Sequence, residues 1–277
     1  MQNQPKTLAL IGFGDLSLRV LRRMNPDSWK CIGMCRHPQK VPEPGLGLAI
    51  DLQRPETLAV LGQLRPNALL VTLTPLDRTI AGYRQGFAAA MDAVVDGLEG
   101  HRPDTALFVS STRVYAEHDG GWVNEDSPLG SEPQAQAIVS AERRLLSCSD
   151  NTRILRAGGL YTDQSRFLLS RVREGRFTPT HPERFSNRIH RDDVARFIYY
   201  ALENRLNHDV YNLVDNHPAS LQEVEAWLSQ HLRVSYCPSD QASESPSHKR
   251  ISNARLLEEG FRLEHPDYRS GYSSAMP

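Results

Sequence analysis

Apolar residues in this chain fall in short runs separated by turn-forming residues, and the runs alternate with segments of helical period. Thr7 to Ile11 is an apolar run that stops at Gly12-Phe13-Gly14-Asp15-Leu16-Ser17, after which Leu18, Val20, Leu21 and Met24 share one face of a helix. Trp29 to Cys35, Leu46 to Leu52 and Ala68 to Thr74 are predicted as the next strands, with a helical stretch from Pro55 to Leu64 between the last two. An alanine-rich helix is predicted from Thr79 to Gly97, then a strand Ala106 to Ser110, a helix Glu132 to Ser147 and a strand Arg153 to Ala157. This is the alternation of βαβ units. Ser111 to Gly130 mixes Gly, Asp, Glu and Pro and reads as loop. Beyond Gly158 the order loosens. Helices are predicted at Gln164 to Glu174, Asp192 to Asn204 and Leu221 to Leu232, with an extended piece reaching Ile189, a strand Val210 to Val214 and a loop Pro238 to Ser247.

A chain of 277 residues, 39% hydrophobic and 23% charged, suits one α/β unit carrying a small lobe. A mean hydropathy of -0.47 and apolar runs far short of the ~18 residues of a membrane helix exclude a membrane partner of that kind. The net charge of -1 gives no field to hold a phosphate backbone, which argues against nucleic acid. Cys31 and Cys35 lie on one face of a predicted strand and read as buried thiols, since no pairing framework or second ligand pair accompanies them. The N-terminal segment is too short in apolar residues for a secretory core, so the cytoplasm is expected. Lysine occurs only at Lys6, Lys30, Lys40 and Lys249, leaving arginine as almost all of the 32 cationic residues.

Gly12 and Gly14 allow a tight turn and close approach of backbone N–H groups to a phosphate, with the following helix presenting its positive end. Ser17 stands where a third glycine is usual, and a small residue there still lets helix and strand pack. The pattern directly after the first strand predicts a dinucleotide site at Gly12, Gly14, Asp15 and Leu16. An acid that accepts ribose hydroxyls is usual after the second strand, but Cys35-Arg36-His37 stands there. Arg36 would clamp a 2′-phosphate with its planar fork, favouring NADP over NAD. Position in the fold places Asp51 and Leu52 near the adenine and Leu73 and Thr74 near the adenosine ribose. The expectation is a Rossmann-type doubly wound parallel sheet over residues 1–158. Residues 159–277 would partly complete that sheet and partly form a small substrate-binding lobe.

Several strings then carry a family likeness: Gly12-Phe13-Gly14, Ser110-Ser111-Thr112-Arg113-Val114-Tyr115, Asn124-Glu125-Asp126-Ser127-Pro128, Ile154 to Tyr161, Asn187 to Ala195 and Val210 to Asp215. In order and spacing the chain resembles the extended and atypical short-chain dehydrogenase/reductases, the NAD-dependent epimerase/dehydratase group. The resemblance implies that Ser111 hydrogen-bonds the substrate oxygen. It also places the family's catalytic tyrosine and lysine, spaced Y-x-x-x-K, at Gln134 and Ile138, neither of which can take part in proton transfer. No lysine lies between positions 41 and 248 to supply the dyad from a shifted register.

What the likeness implies is therefore oxidoreductase or epimerase-like chemistry on a small molecule without that dyad, with a non-catalytic NADP-sensing regulatory or protein-interaction protein as the alternative. Hydride transfer rests on alignment more than on a side-chain base, so the missing dyad does not forbid it. Tyr115, Tyr161 and His190 are the candidates for acid–base work near the family's cleft, each with wall packing or capping as the plainer role. Arg184, Arg188, Lys249, Arg250 and Arg255 make the late segments locally basic, which suits an anionic substrate or, equally, a solvated surface. Phe87, Met91, Val94 and Val95 at helical spacing suit either a homodimer contact or packing on the sheet.

Overall fold

The computed structural model describes residues 4–163, 166–240 and 248–273. Its strands are β1 (Lys6–Ile11), β2 (Trp29–Cys35), β3 (Leu46–Ala49), β4 (Ala68–Thr72), β5 (Thr105–Ser111), β6 (Asp119–Val123), β7 (Thr152–Ala157), β8 (Gly159–Tyr161), β9 (Arg188–His190), β10 (Val210–Leu213) and β11 (His248–Ile251). The helices are α1 (Asp15–Leu21), α2 (Val60–Leu64), α3 (Ile80–Tyr83), α4 (Ala90–Asp96), α5 (Pro133–Leu146), α6 (Arg166–Arg173), α7 (Arg191–Glu203), α8 (Leu221–Leu232), α9 (Ala254–Glu258) and α10 (Tyr268–Tyr272).

Seven strands form one sheet in the order β10-β7-β5-β4-β1-β2-β3. The pairings from β3 through β2, β1 and β4 to β5 are parallel, with Leu10 opposite both Gly33 and Leu70. Strand order reverses between β1 and β4, the crevice in which doubly wound sheets bind ligands. The central strands are apolar throughout because both faces are covered: Leu8 to Ile11, Leu69 to Val71 and Ala106 to Phe108 are 0% exposed. The doubly wound reading of the sequence is thus the observed one.

Differences from the expected elements have local causes. β3 stops at Ala49 because the next residues close a turn: Asp51 O accepts from Arg54 N at 2.8 Å, and Asp51 N donates to Thr57 Oγ1 at 3.0 Å. β4 stops at Thr72, ahead of Pro75, which lacks a backbone donor. The predicted helix from Thr79 to Gly97 is continuous, but Arg84–Ala89 is a π-helical stretch between α3 and α4. The Ser111–Gly130 segment, read as loop, contains β6, which pairs in parallel with β11. Gln164 and most of the Pro238–Ser247 loop lie outside the described residues. Cys31 is buried and its thiol is pushed up to about 11 by desolvation, whereas Cys35 is only partly covered and Cys237 is exposed.

Contacts divide the chain into two compact units that interleave in sequence. The first comprises 1–114, 129–156 and 195–211 and holds most of the sheet; the second comprises 115–128, 157–194 and 212–277. The second has its own core of Leu169, Val172, Ala219, Val224, Leu228, Tyr268 and Tyr272.

Candidate functional site

In the first unit the parallel strands deliver one candidate after another to the same sheet edge: Gly12 after β1, Arg36 after β2, Asp51 and Leu52 after β3, Leu73 and Thr74 after β4, and Ser111 ending β5. Gly12 has φ +82, and a Cβ there would sit 2.2 Å from Thr72 O and 2.9 Å from Thr72 Oγ1. Only glycine meets both conditions. Gly14 differs: a Cβ there would meet nothing within 4 Å, so its flank faces open space. No side chain caps α1, whose first intrahelical bond runs from Leu18 N to Gly14 O at 3.0 Å. Earlier amides of a helix have no intrahelical acceptor and suit an anion. The Asp15 carboxylate turns along the helix to Arg19 at 3.0 Å, while Leu16 packs inward, so what these two offer a ligand is backbone.

Arg36 is exposed at the end of β2. Asp51 spends one carboxylate oxygen on Gln53 N at 3.0 Å, and Leu52 beside it is partly covered. Leu73 is buried and Thr74 is exposed beside Gly86, where a Cβ would meet Thr74 O at 2.4 Å. Ser111 is partly exposed, and its Oγ accepts from Arg113 N at 3.2 Å, leaving the hydroxyl hydrogen available to a ligand. Arg113 lies with its guanidinium 5.4 Å from the Tyr83 ring.

α5 holds the positions matched to the family's dyad. Ile138 is 1% exposed and belongs to the core, while Gln134 is half-buried in the first turn. One turn beyond Ile138, Glu142 forms a two-pronged buried ion pair with Arg156, Nε to Oε1 at 3.0 Å and Nη2 to Oε2 at 2.8 Å. Ser110 Oγ donates to the same carboxylate at 2.5 Å. This network seals the polar groups on the sheet face of α5.

The second unit treats its candidate phenols differently. Tyr115 is fully buried; its hydroxyl donates to Asn212 Oδ1 at 2.6 Å, and its carbonyl accepts from Lys249 Nζ at 2.8 Å. Asn212 N in turn donates to Glu125 Oε1 at 2.8 Å, and burial pushes the Glu125 carboxyl up. Tyr161 is 4% exposed, donates to Asp267 O at 3.3 Å and packs edge-on to His190 at 5.3 Å. Burial, then the neighbouring Asp215, pushes its phenol far above the ordinary tyrosine value, so it keeps its proton at neutral pH.

The family-like string around His190 also resolves into packing. Asp193 accepts from Glu264 N and His265 N at 2.8 and 2.9 Å and so ties residues 264 and 265 to the first turn of α7. Of the late basic residues, Arg188 and Lys249 are buried rather than solvated, Arg250 lies against Phe185 at 4.8 Å, and Arg255 bonds Asp126. Two groups escaped the sequence reading. Thr72 lies one residue before the candidate pair Leu73 and Thr74, and Asp215 ends the Val210–Asp215 string. Asp215 is 2% exposed and burial pushes its carboxyl up to about 7, with Arg188 opposing that shift. Among the described residues no group of His, Cys, Asp and Glu is placed to hold a metal, and no helix is long and apolar enough to cross a membrane.

No family model and no curated protein matches the chain. Among solved structures, a Methylobacillus flagellatus protein with a provisional assignment as an NAD-dependent epimerase/dehydratase is 29% identical, with 99% of this chain and 98% of that one covered and a TM-score of 0.82. The dTDP-4-dehydrorhamnose reductase of Bacillus anthracis, solved with NADP, is 13% identical over 99% and 98% of the two chains, with a TM-score of 0.76. The UDP-glucuronic acid 4-epimerase of Bacillus cereus, solved with NAD, is 14% identical over 98% and 96%, also at 0.76. The likeness to the last two is one of fold.

Proposed function

We propose that the chain is an extended short-chain dehydrogenase/reductase of the NAD-dependent epimerase/dehydratase type, as its likeness to the Methylobacillus flagellatus structure supports, that it binds a nicotinamide dinucleotide on the Gly12–Gly14 turn and that it catalyses redox or epimerase-like chemistry on a small molecule. The observation that carries this is the pair of glycines. Gly12 is held at φ +82 against Thr72, and Gly14 opens onto empty space at the switch point of the sheet. Backbone amides there would hold the diphosphate, Arg36 the 2′-phosphate of NADP, and the residues around Asp51, Leu52, Leu73 and Thr74 the adenosine half.

The dinucleotide supplies the hydride chemistry when bound. This chain supplies alignment: Ser111 would offer a hydroxyl to the substrate oxygen, and the part of residues 159–277 that does not join the sheet would furnish the substrate lobe. Tyr115 and Tyr161 act as buried supports rather than as proton carriers, because both hydroxyls already donate within the second unit. A fold shared with a reductase and a sugar epimerase supports polyhydroxylated carbonyl compounds as the substrate class. The exposed Arg36 after β2 supports a preference for NADP.

Calorimetric titration with NADPH and NADH, followed by turnover against aldehydes, ketones and nucleotide sugars, tests the proposal. Saturable binding with NADPH tighter than NADH, and consumption of the cofactor with at least one substrate class, is the expected result. Binding without any turnover would instead favour a sensing role.

A further inference from the structure

The carbonyl of Gly12 is held by two hydroxyl groups. Thr72 Oγ1 donates to it at 2.6 Å, with a longer approach to Ile11 O at 3.1 Å, and Ser17 Oγ donates to it at 3.3 Å. Thr72 ends β4 and Ser17, fully buried, stands on α1, so two separate elements converge on one backbone oxygen. The peptide joining Gly12 to Phe13 is trans, because the cis bonds of the described residues precede Pro44 and Pro182 only. In a trans peptide the C=O and the following N–H point in opposite directions. Drawing the Gly12 carbonyl inward between β4 and α1 therefore turns the Phe13 N–H the opposite way, away from Thr72 and Ser17. That amide donates to no backbone or side-chain group among the described residues.

We infer that Thr72 and Ser17 are positioning residues that lock the Gly12–Phe13 peptide so that its amide is aimed at a diphosphate before any ligand arrives. This rests on the reading that a dinucleotide occupies the turn, and it adds what the glycines alone do not provide. Positive φ makes the turn accessible, but a glycine-rich peptide can rotate, and fixing a donor in advance removes that ordering cost from binding. It also gives a reason for serine at position 17. A third glycine there would allow the same packing and supply no hydroxyl.

The experiment measures binding of ADP-ribose, which carries the diphosphate, and of adenosine, which does not, to the wild-type chain and to Thr72→Val, Thr72→Ser and Ser17→Ala, with thermal melting of each ligand-free protein as a check. One neutral hydrogen bond is worth about fivefold in affinity at its net value. Thr72→Val should therefore weaken ADP-ribose about fivefold and leave adenosine unchanged, Thr72→Ser should restore wild-type binding, and Ser17→Ala, which loses the longer contact, should cost about twofold. Equal weakening of both ligands, or unchanged ADP-ribose binding in a folded Thr72→Val protein, would overturn the inference while leaving the dinucleotide reading intact. If wild-type protein binds neither ADP-ribose nor NADPH, the dinucleotide reading itself fails and this inference with it. Should Thr72→Val not fold, Ser17→Ala carries the same test, and identical binding of ADP-ribose to that variant and to the wild type counts against the inference.

Discussion

The glycine turn of the first unit and the phenols of the second handle polar groups in opposite ways. Around Gly12, hydroxyls are spent on turning a peptide so that its N–H points away from them, and the adjoining Gly14 leaves space uncovered. Around Tyr115 and Tyr161, side chains of catalytic type donate to Asn212 and Asp267 and are closed over. Side chains of catalytic type are thus engaged inside the second unit, while the flank of Gly14 stays open. The difference teaches that residue type alone does not assign a role: both phenols are spent on hydrogen bonds within the second unit, whereas the open flank at Gly14 is backbone.

The sharpest way to break the contrast is Gly12→Ala. A Cβ 2.2 Å from Thr72 O at φ +82 must displace β4 or the turn. The expected outcome is loss of stability by about 2–3 kcal/mol in denaturant titration, together with loss of measurable dinucleotide binding. Next in size is Asp215→Asn. The folded carboxyl titrates at about 7 against an ordinary value of 3.8, so the unfolded chain ionises first and native stability falls as pH rises from about 4 to 7. Asparagine keeps an acceptor for His217 N, seen at 3.1 Å, without the charge. The variant should be no more stable than wild type near pH 4 and progressively more stable than wild type as pH rises to 7. A constant difference across that range would contradict a buried Asp215 carboxyl that titrates at about 7.

Tyr115→Phe is smaller and bears on the phenols directly. Removing the donor to Asn212 should cost about 1 kcal/mol in stability and leave dinucleotide affinity and any kcat within about twofold. A collapse of kcat at unchanged stability would make Tyr115 a participant in the chemistry. Smallest in its effect on stability is Arg36→Ala, which should leave melting unchanged because the side chain is exposed, weaken NADPH about tenfold and leave NADH untouched.

Much of the architecture could be read from residue order. Trp29–Cys35 and Leu221–Leu232 occur with the bounds that periodicity predicts, because a run of buried β-type residues and a clean amphipathic helix leave few alternatives. β6 was hidden because Asp119-Gly120-Gly121 carries turn residues, and its partner β11 lies more than a hundred residues away, a pairing no local window contains. The π-helical stretch at Arg84–Ala89 follows from tertiary fit: Gly86 lies on the backbone of Thr74 and Pro75, which helix propensity does not register. At the site, Gly12 and Gly14 were legible as a motif, whereas Thr72 was not. Its role depends on a 2.6 Å approach between two strands' ends, and only three dimensions supply that distance. The buried fates of Arg188 and Lys249 were equally invisible, since a sequence assigns arginine and lysine to the surface by default.

The central claim is that the turn after β1 holds a dinucleotide. Titrating NADPH into the wild-type chain and into Gly12→Ala by calorimetry tests it most directly. The account predicts one-to-one binding to the wild type and none to a folded variant. Absence of binding heat to the wild type at millimolar dinucleotide, or equal affinity in the two proteins, would contradict it.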